Sequence, residues 1–295
     1  MTASSQPVFR FAPSPNGRLH LGHAYSALIN RTLADETGGR LLLRIEDIDR
    51  VRCTPALEAA MIGDLDWLGV RFDPPLRRQS EHFDTYRALL DRLVEMNIAY
   101  PAFLSRGALS TRIAEAEAGG QPWPRDPDGA PIYPPDDKHL DAKERRTRIA
   151  AGEPFAWRLD MEAALKTTGT RLTWRENGKG PGNETGLIAA DPMAWGDVVL
   201  ARSDTPTSYH LSVVADDAAQ KISHVVRGQD LFHATAVHRL LQVLLGLPEP
   251  QYRHHALVRD ATGRKLSKSD NDTALAALRD SGSTPSDIRS QLGVG

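Results

Sequence analysis

Arg10-Phe11-Ala12-Pro13-Ser14-Pro15-Asn16-Gly17-Arg18-Leu19-His20-Leu21-Gly22-His23-Ala24 is the stretch from which the fold is read. It continues an apolar run over 8–12 and passes into a loop over 13–17, whose prolines and glycine can neither extend a strand nor sit inside a helix. A helical pattern starts near Leu19 or His20 and runs to about Glu36, with Leu21, Ala24, Leu28 and Leu33 roughly on one face. His20 and His23 then share the first helical turn, beside the free N–H groups and the positive dipole end of the helix. Gly22 between them would let a flat adenine ring lie against the backbone. Such a helix end suits ATP in the geometry of attack at its α-phosphorus, although four residues of this kind also occur as ordinary helix histidines.

A second string, Lys265-Leu266-Ser267-Lys268-Ser269, stands near the other end of the chain, preceded by Gly263. A loop of this composition can swing over a polyphosphate and neutralise charge that builds up in a transition state. Alone it reads more readily as a solvated basic loop. The two strings together, in this order, are far more specific than either.

Between them the first hundred residues alternate strand and helix. Strands are predicted over 8–12 and 40–45. Thr54-Pro55 forms an N-cap and N1 pair for a helix to Leu68, with Leu57, Met61, Leu65 and Leu68 on its buried face. Phe83, Tyr86, Leu90 and Leu93 repeat that spacing in a helix ending near Asn97, and a further strand begins at Ile98. This alternation predicts an α/β fold, a parallel sheet with helices on both faces and ligands at the carboxyl ends of its strands. The tract 119–137, rich in Gly, Pro and Asp, reads as an exposed excursion. Strands over 155–160, 171–175 and 197–201 read as a mixed insertion. The sheet pattern resumes with a helix over 209–219, a strand over 222–226, a helix over 234–245 and a strand over 256–258.

The first stretch closely resembles the signature of class I glutamyl-tRNA synthetases, and the lysine string resembles that class's second signature. Leu41-Leu42-Leu43-Arg44-Ile45-Glu46-Asp47-Ile48-Asp49-Arg50 is similar to the family's second strand and its acidic exit. Tyr209-His210-Leu211, Val213 to Asp217 and His224-Val225-Val226-Arg227-Gly228-Gln229-Asp230 resemble its amino-acid pocket. The resemblance implies a Rossmann-type catalytic domain in two halves, over 1–100 and 191–262. An α+β connecting insertion would occupy 101–190 and a lysine loop with a short helical segment 263–295.

Glutamate carries two carboxylates and one ammonium. Arg10 and Arg227 supply guanidinium forks for carboxylates, Glu46 a carboxylate for the ammonium, and Tyr209 a hydroxyl for either end. Contacts to glutamate are further implied for Phe11, Ala12, Pro13 and Ser14. ATP contacts are implied for His20, Gly22, His23 and Lys268, and catalysis, by positioning and charge stabilisation, for His20, His23, Lys265 and Lys268. Mg²⁺ is expected on the ATP phosphates.

Only 26 residues follow Ser269 in the 295-residue sequence, too few for the helical anticodon-reading region of full-length glutamyl-tRNA synthetases. A short chain of this kind resembles the glutamyl-queuosine tRNA(Asp) synthetases. These activate glutamate without tRNA and attach it to the queuosine base at the wobble position of tRNA(Asp). Two other readings stay open: a minimal enzyme charging tRNA(Glu), and a non-catalytic regulator binding ATP or glutamate. Many members of the short subfamily hold zinc with a Cys-x-Cys pair, a Tyr and a further Cys. Here Ala102 and Leu104 replace the pair, Tyr133 remains and Asp137 replaces the last cysteine. No zinc is therefore expected, and Tyr133 reads as a partly exposed aromatic in a proline-rich loop.

Composition agrees with a cytoplasmic enzyme, and a monomer is expected. A 40% hydrophobic content can bury a sizeable core, no apolar run reaches membrane-spanning length, and the single cysteine, Cys53, excludes an intrachain disulfide framework. A net charge of −2 says nothing for or against a nucleic-acid partner.

Overall fold

The structure, a computed structural model, describes residues 6–259 and 274–294. In chain order its elements are β1 (Val8–Phe11), α1 (Leu21–Glu36), β2 (Arg40–Ile45), α2 (Pro55–Trp67), β3 (Asp73–Arg78), α3 (Phe83–Glu95), β4 (Ala99–Ala102) and α4 (Arg106–Ala118). They continue with α5 (Ala142–Ala150), β5 (Ala156–Leu159), α6 (Met161–Thr168), β6 (Thr173–Glu176), β7 (Gly186–Ala189), β8 (Val199–Arg202) and α7 (Tyr209–Ala219). The last are β9 (His224–Gly228), α8 (Thr235–Leu245), β10 (Gln251–His255), α9 (Leu275–Asp280) and α10 (Pro285–Leu292).

A seven-stranded sheet of order β3-β2-β1-β9-β10-β6-β7 forms the body. All its pairings are parallel except β6 with β7. Helices α1 and α2 pack on it because each presents an apolar stripe. On α2, capped by Thr54 with Pro55 in the first turn, Met61 and Leu65 are buried, as is the C-cap Leu68; such side chains stabilise by about 1.5–3 kcal/mol each. On α1, Ala24, Ala27, Leu28 and Ala34 pack into the same cluster as Phe9, Leu41 and Leu43. The order reverses between β1 and β9, and there the carboxyl ends of neighbouring strands part to leave a crevice.

A small antiparallel sheet, β4-β5-β8, stands apart from the main one. Several expectations are corrected here. The strand at Ile98 joins this small sheet, not the parallel one. The strand near 171–175, expected in the insertion, runs beside β10 in the main sheet. Its neighbour β10 occupies Gln251–His255, whereas the predicted 256–258 is irregular. The edge strand β3 was not anticipated at all, since Asp73-Pro74-Pro75 opens it; prolines are tolerated at a sheet edge because no ladder hydrogen bond is lost there.

Tyr133 is not partly exposed. It is buried, its hydroxyl donates to Asp137 and accepts from the Leu104 amide at 2.9 Å. Asp137 also accepts from the amides of Phe103 at 2.7 Å and Leu104 at 3.2 Å. The Arg158 guanidinium lies 3.9 Å over the Tyr133 ring. A buried polar latch thus ties β4 to the excursion.

Candidate active site

The crevice is a cavity of about 810 Å³. One wall is the start of α1. His20 is its N-cap, in extended backbone geometry. Its Nδ1 accepts from the Gly22 amide at 3.1 Å, and the His23 Nδ1 accepts from the His20 amide at 3.2 Å. This reciprocal cap makes Nδ1 the acceptor on both rings, so in the neutral state each carries its proton on Nε2, a donor of the kind a phosphate needs. The ring centroids are 3.9 Å apart. Gly22 has a steric reason of its own: a Cβ there would lie 2.9 Å from His20 Cε1. Ala274 bridges to His20, and the Leu275 amide donates to the Leu19 carbonyl at 2.8 Å, so the C-terminal helices brace this wall.

The floor comes from the ends of β1 and β2. The Glu46 amide donates to the Pro13 carbonyl at 3.0 Å, joining the two strand exits. Arg10 is buried and donates from Nε to Asp217 at 3.2 Å. Arg44, fully buried, donates to the same Asp217 oxygen at 2.7 Å and to Glu46 at 3.3 Å. Asp216 accepts from Arg77, Gln79 and Tyr86 at 2.7–2.9 Å. Burial would raise the Asp217 carboxyl, but Arg10 and Arg44 outweigh it and hold it below the usual range. For Glu46 the balance is reversed: burial raises its carboxyl more than Arg44 and Arg10 lower it.

The far wall is Arg227 on β9 with Tyr209 at the start of α7. Arg227 donates from Nη1 to the Tyr209 hydroxyl at 3.3 Å and to His238 Nδ1 at 3.2 Å. Nε donates to His254 Nε2 at 3.1 Å, and Nη2 to Thr235 Oγ1 at 2.8 Å and the Leu231 carbonyl at 3.0 Å.

Arg10, Phe11, Ala12, Pro13, Ser14 and Glu46 all line this one cavity, as do His20, Gly22, His23, Tyr209 and Arg227. Lys265 and Lys268 lie outside the described residues. The family model for class I tRNA synthetases (E and Q), catalytic domain, matches residues 8–293. The chain belongs to that family. It is accordingly a ligase of the aminoacyl-tRNA synthetase class. It is 45% identical to a glutamyl-Q tRNA(Asp) synthetase of Rhodobacter capsulatus, over 97% of this chain and 100% of that protein. A glutamate–tRNA ligase of Gloeobacter violaceus is 35% identical over 97% of this chain, which spans 52% of the ligase. The crystal structure of an Elizabethkingia meningosepticum glutamate tRNA ligase, in complex with its amino acid, superposes with a TM-score of 0.74 at 28% identity. It covers 91% of this chain and 53% of that one.

Within this class I synthetase fold, the residues that hold the site residues in place escaped sequence reading. Asp217 stands out in the sequence only as part of a longer matching run, and Glu176, His238 and His254 carry no local pattern. The zinc-type positions do not fit a metal. Ala102 and Leu104 have no side-chain ligand atoms, the Tyr133 hydroxyl and Asp137 Oδ2 are engaged with each other and with backbone amides, and Asp137 Oδ1 faces Arg148 at 3.6 Å. Among the described residues no cluster of three His, Cys, Asp or Glu side chains could hold an ion. Nor is any described helix long and apolar enough to cross a membrane.

Proposed function

We propose that the chain activates L-glutamate with ATP, without tRNA, and transfers it to the queuosine base at the wobble position of tRNA(Asp). The observation that carries activation is the meeting of Arg10, Glu46 and Arg227 with the His20–His23 helix end in one cavity. Two guanidinium groups and one carboxylate match glutamate's two carboxylates and one ammonium. The substrate's α-carboxylate attacks the α-phosphorus of ATP, an O–P bond forms, and pyrophosphate leaves. His20 and His23 donate to the phosphates; Lys265 and Lys268 are expected to neutralise the departing charge. No side-chain nucleophile is needed. A hydroxyl of the acceptor then attacks the activated carbonyl and AMP leaves.

The acceptor is supported by the relative matched end to end at 45% identity, whose name specifies glutamyl-Q tRNA(Asp). The Gloeobacter ligase favours a second reading, charging of tRNA(Glu). Transfer of radiolabelled glutamate to tRNA(Asp) with and without queuosine, beside tRNA(Glu), separates them. Label on queuosine-containing tRNA(Asp) alone is the expected result. Label on tRNA(Glu) establishes the second reading. No label, with no glutamate-dependent pyrophosphate exchange, leaves a regulator.

A further inference from the structure

The three buried cations around the cavity are held in two different ways. Arg10 rests on Asp217, and Arg44 on Asp217, Glu46 and Asp216, so carboxylates already offset their charge. Arg227 has five N–H donors, and all five are met by neutral groups: a tyrosine and a threonine hydroxyl, a carbonyl and two imidazoles. No carboxylate among the described residues lies within ion-pair distance of it. A buried guanidinium without a counter-charge is costly unless a ligand supplies one.

The imidazoles are specified, not incidental. Guanidinium cannot accept, so His254 Nε2 and His238 Nδ1 must each present a lone pair. His254 therefore carries its proton on Nδ1, where Glu176 accepts it at 2.6 Å. Glu176 is itself fixed by the amides of His254 and Gly178, both at 2.8 Å. His238 carries its proton on Nε2 and faces His210 Nδ1 at 3.3 Å. His238, His254, Thr235 and Glu176 are all buried. Burial pushes His254 down to about 4 despite Glu176, and His238 well below the ordinary histidine range, so both are neutral at pH 7.

We propose that His238 and His254, the latter locked in one tautomer by Glu176, are positioning residues that seat Arg227 on neutral acceptors and leave its charge for the side-chain carboxylate of glutamate. The inference rests on the glutamate reading above. Placing carboxylates on Arg10 and Arg44 but keeping them off Arg227 would make the pocket select an anionic side chain.

The test is glutamate-dependent ATP–pyrophosphate exchange by the full chain. His238→Glu puts an anionic acceptor on Arg227 and is expected to raise KM for glutamate by about 100-fold or more. His238→Gln keeps a neutral acceptor and should restore KM to within about fivefold of wild type. KM for ATP should stay put in both. Equal rises in the two variants, or a KM for ATP that moves in step, overturn the proposal. If His238→Glu does not fold, Glu176→Gln serves instead: it frees His254 to turn an N–H toward Arg227, and an unchanged KM for glutamate overturns the seat. Wild-type protein with no glutamate-dependent exchange removes the glutamate reading and the seat together. Exchange in the wild type with insensitive variants removes the seat alone.

Discussion

Glu46 combines two demands that pull apart. It must be ionised to bind an ammonium, yet burial raises its carboxyl. Protonation of Glu46 is therefore easier than for an exposed carboxyl, and bound glutamate favours the ionised form. KM for glutamate is expected to climb as pH falls through the raised Glu46 value, while KM for ATP does not follow it. Glu46→Gln should raise KM for glutamate by about 100-fold and flatten that pH dependence. Gly22 is the other position where a single atom decides. Gly22→Ala drives a methyl toward the His20 ring, loosening a cap worth about 1–2 kcal/mol. Exchange activity should drop about tenfold, with the thermal midpoint within a few degrees of wild type. These residues were legible because each lies inside a short contiguous string. The seat of Arg227 was not, because Glu176, Thr235, His238 and His254 come from β6, α8 and β10 and meet only in space.

Elements were read well where one face is apolar and poorly where a strand is polar. Helices α2 and α3 follow their leucine and aromatic spacing, and α7 begins and ends where expected. By contrast β10 reads Gln-Tyr-Arg-His-His, with Tyr252 and His254 buried and Arg253 between them exposed. Its inward histidine serves the site, so the usual apolar alternation is missing. The excursion before α5 is mostly exposed, as read, but Tyr133 within it is buried for a related reason: its tie to β4 is polar. Asp137→Ala removes the acceptor for two amides and for the Tyr133 hydroxyl, and should lower stability by about 2–3 kcal/mol in urea unfolding. A chelator should shift neither wild type nor variant. A chelator-induced loss in the wild type would contradict the polar latch.

The molecule as a whole is pinned at Asp216 and Asp217, where α7 receives arginines from β1, β2 and β3. Asp217→Asn leaves Arg10 and Arg44 without their shared carboxylate and should cost about 3–5 kcal/mol. Because the folded Asp217 value is depressed, its stabilisation is complete above the ordinary aspartate range and is lost as pH falls through the lowered value. The variant should therefore show a shallower acid-unfolding slope than wild type. The same topology sets an order of assembly. Strand β1 is flanked by β2, made soon after it, and by β9, whose His224 pairs with Phe9. A ribosome must release most of the chain before that second neighbour exists. The His20 end of α1 is thus among the first segments synthesised, yet it completes its surroundings among the last, once Ala274 has returned to His20. Nascent chains halted short of β9 should retain no ATP on the ribosome, and high contact order of this kind makes folding slow and dependent on protection of the waiting strand.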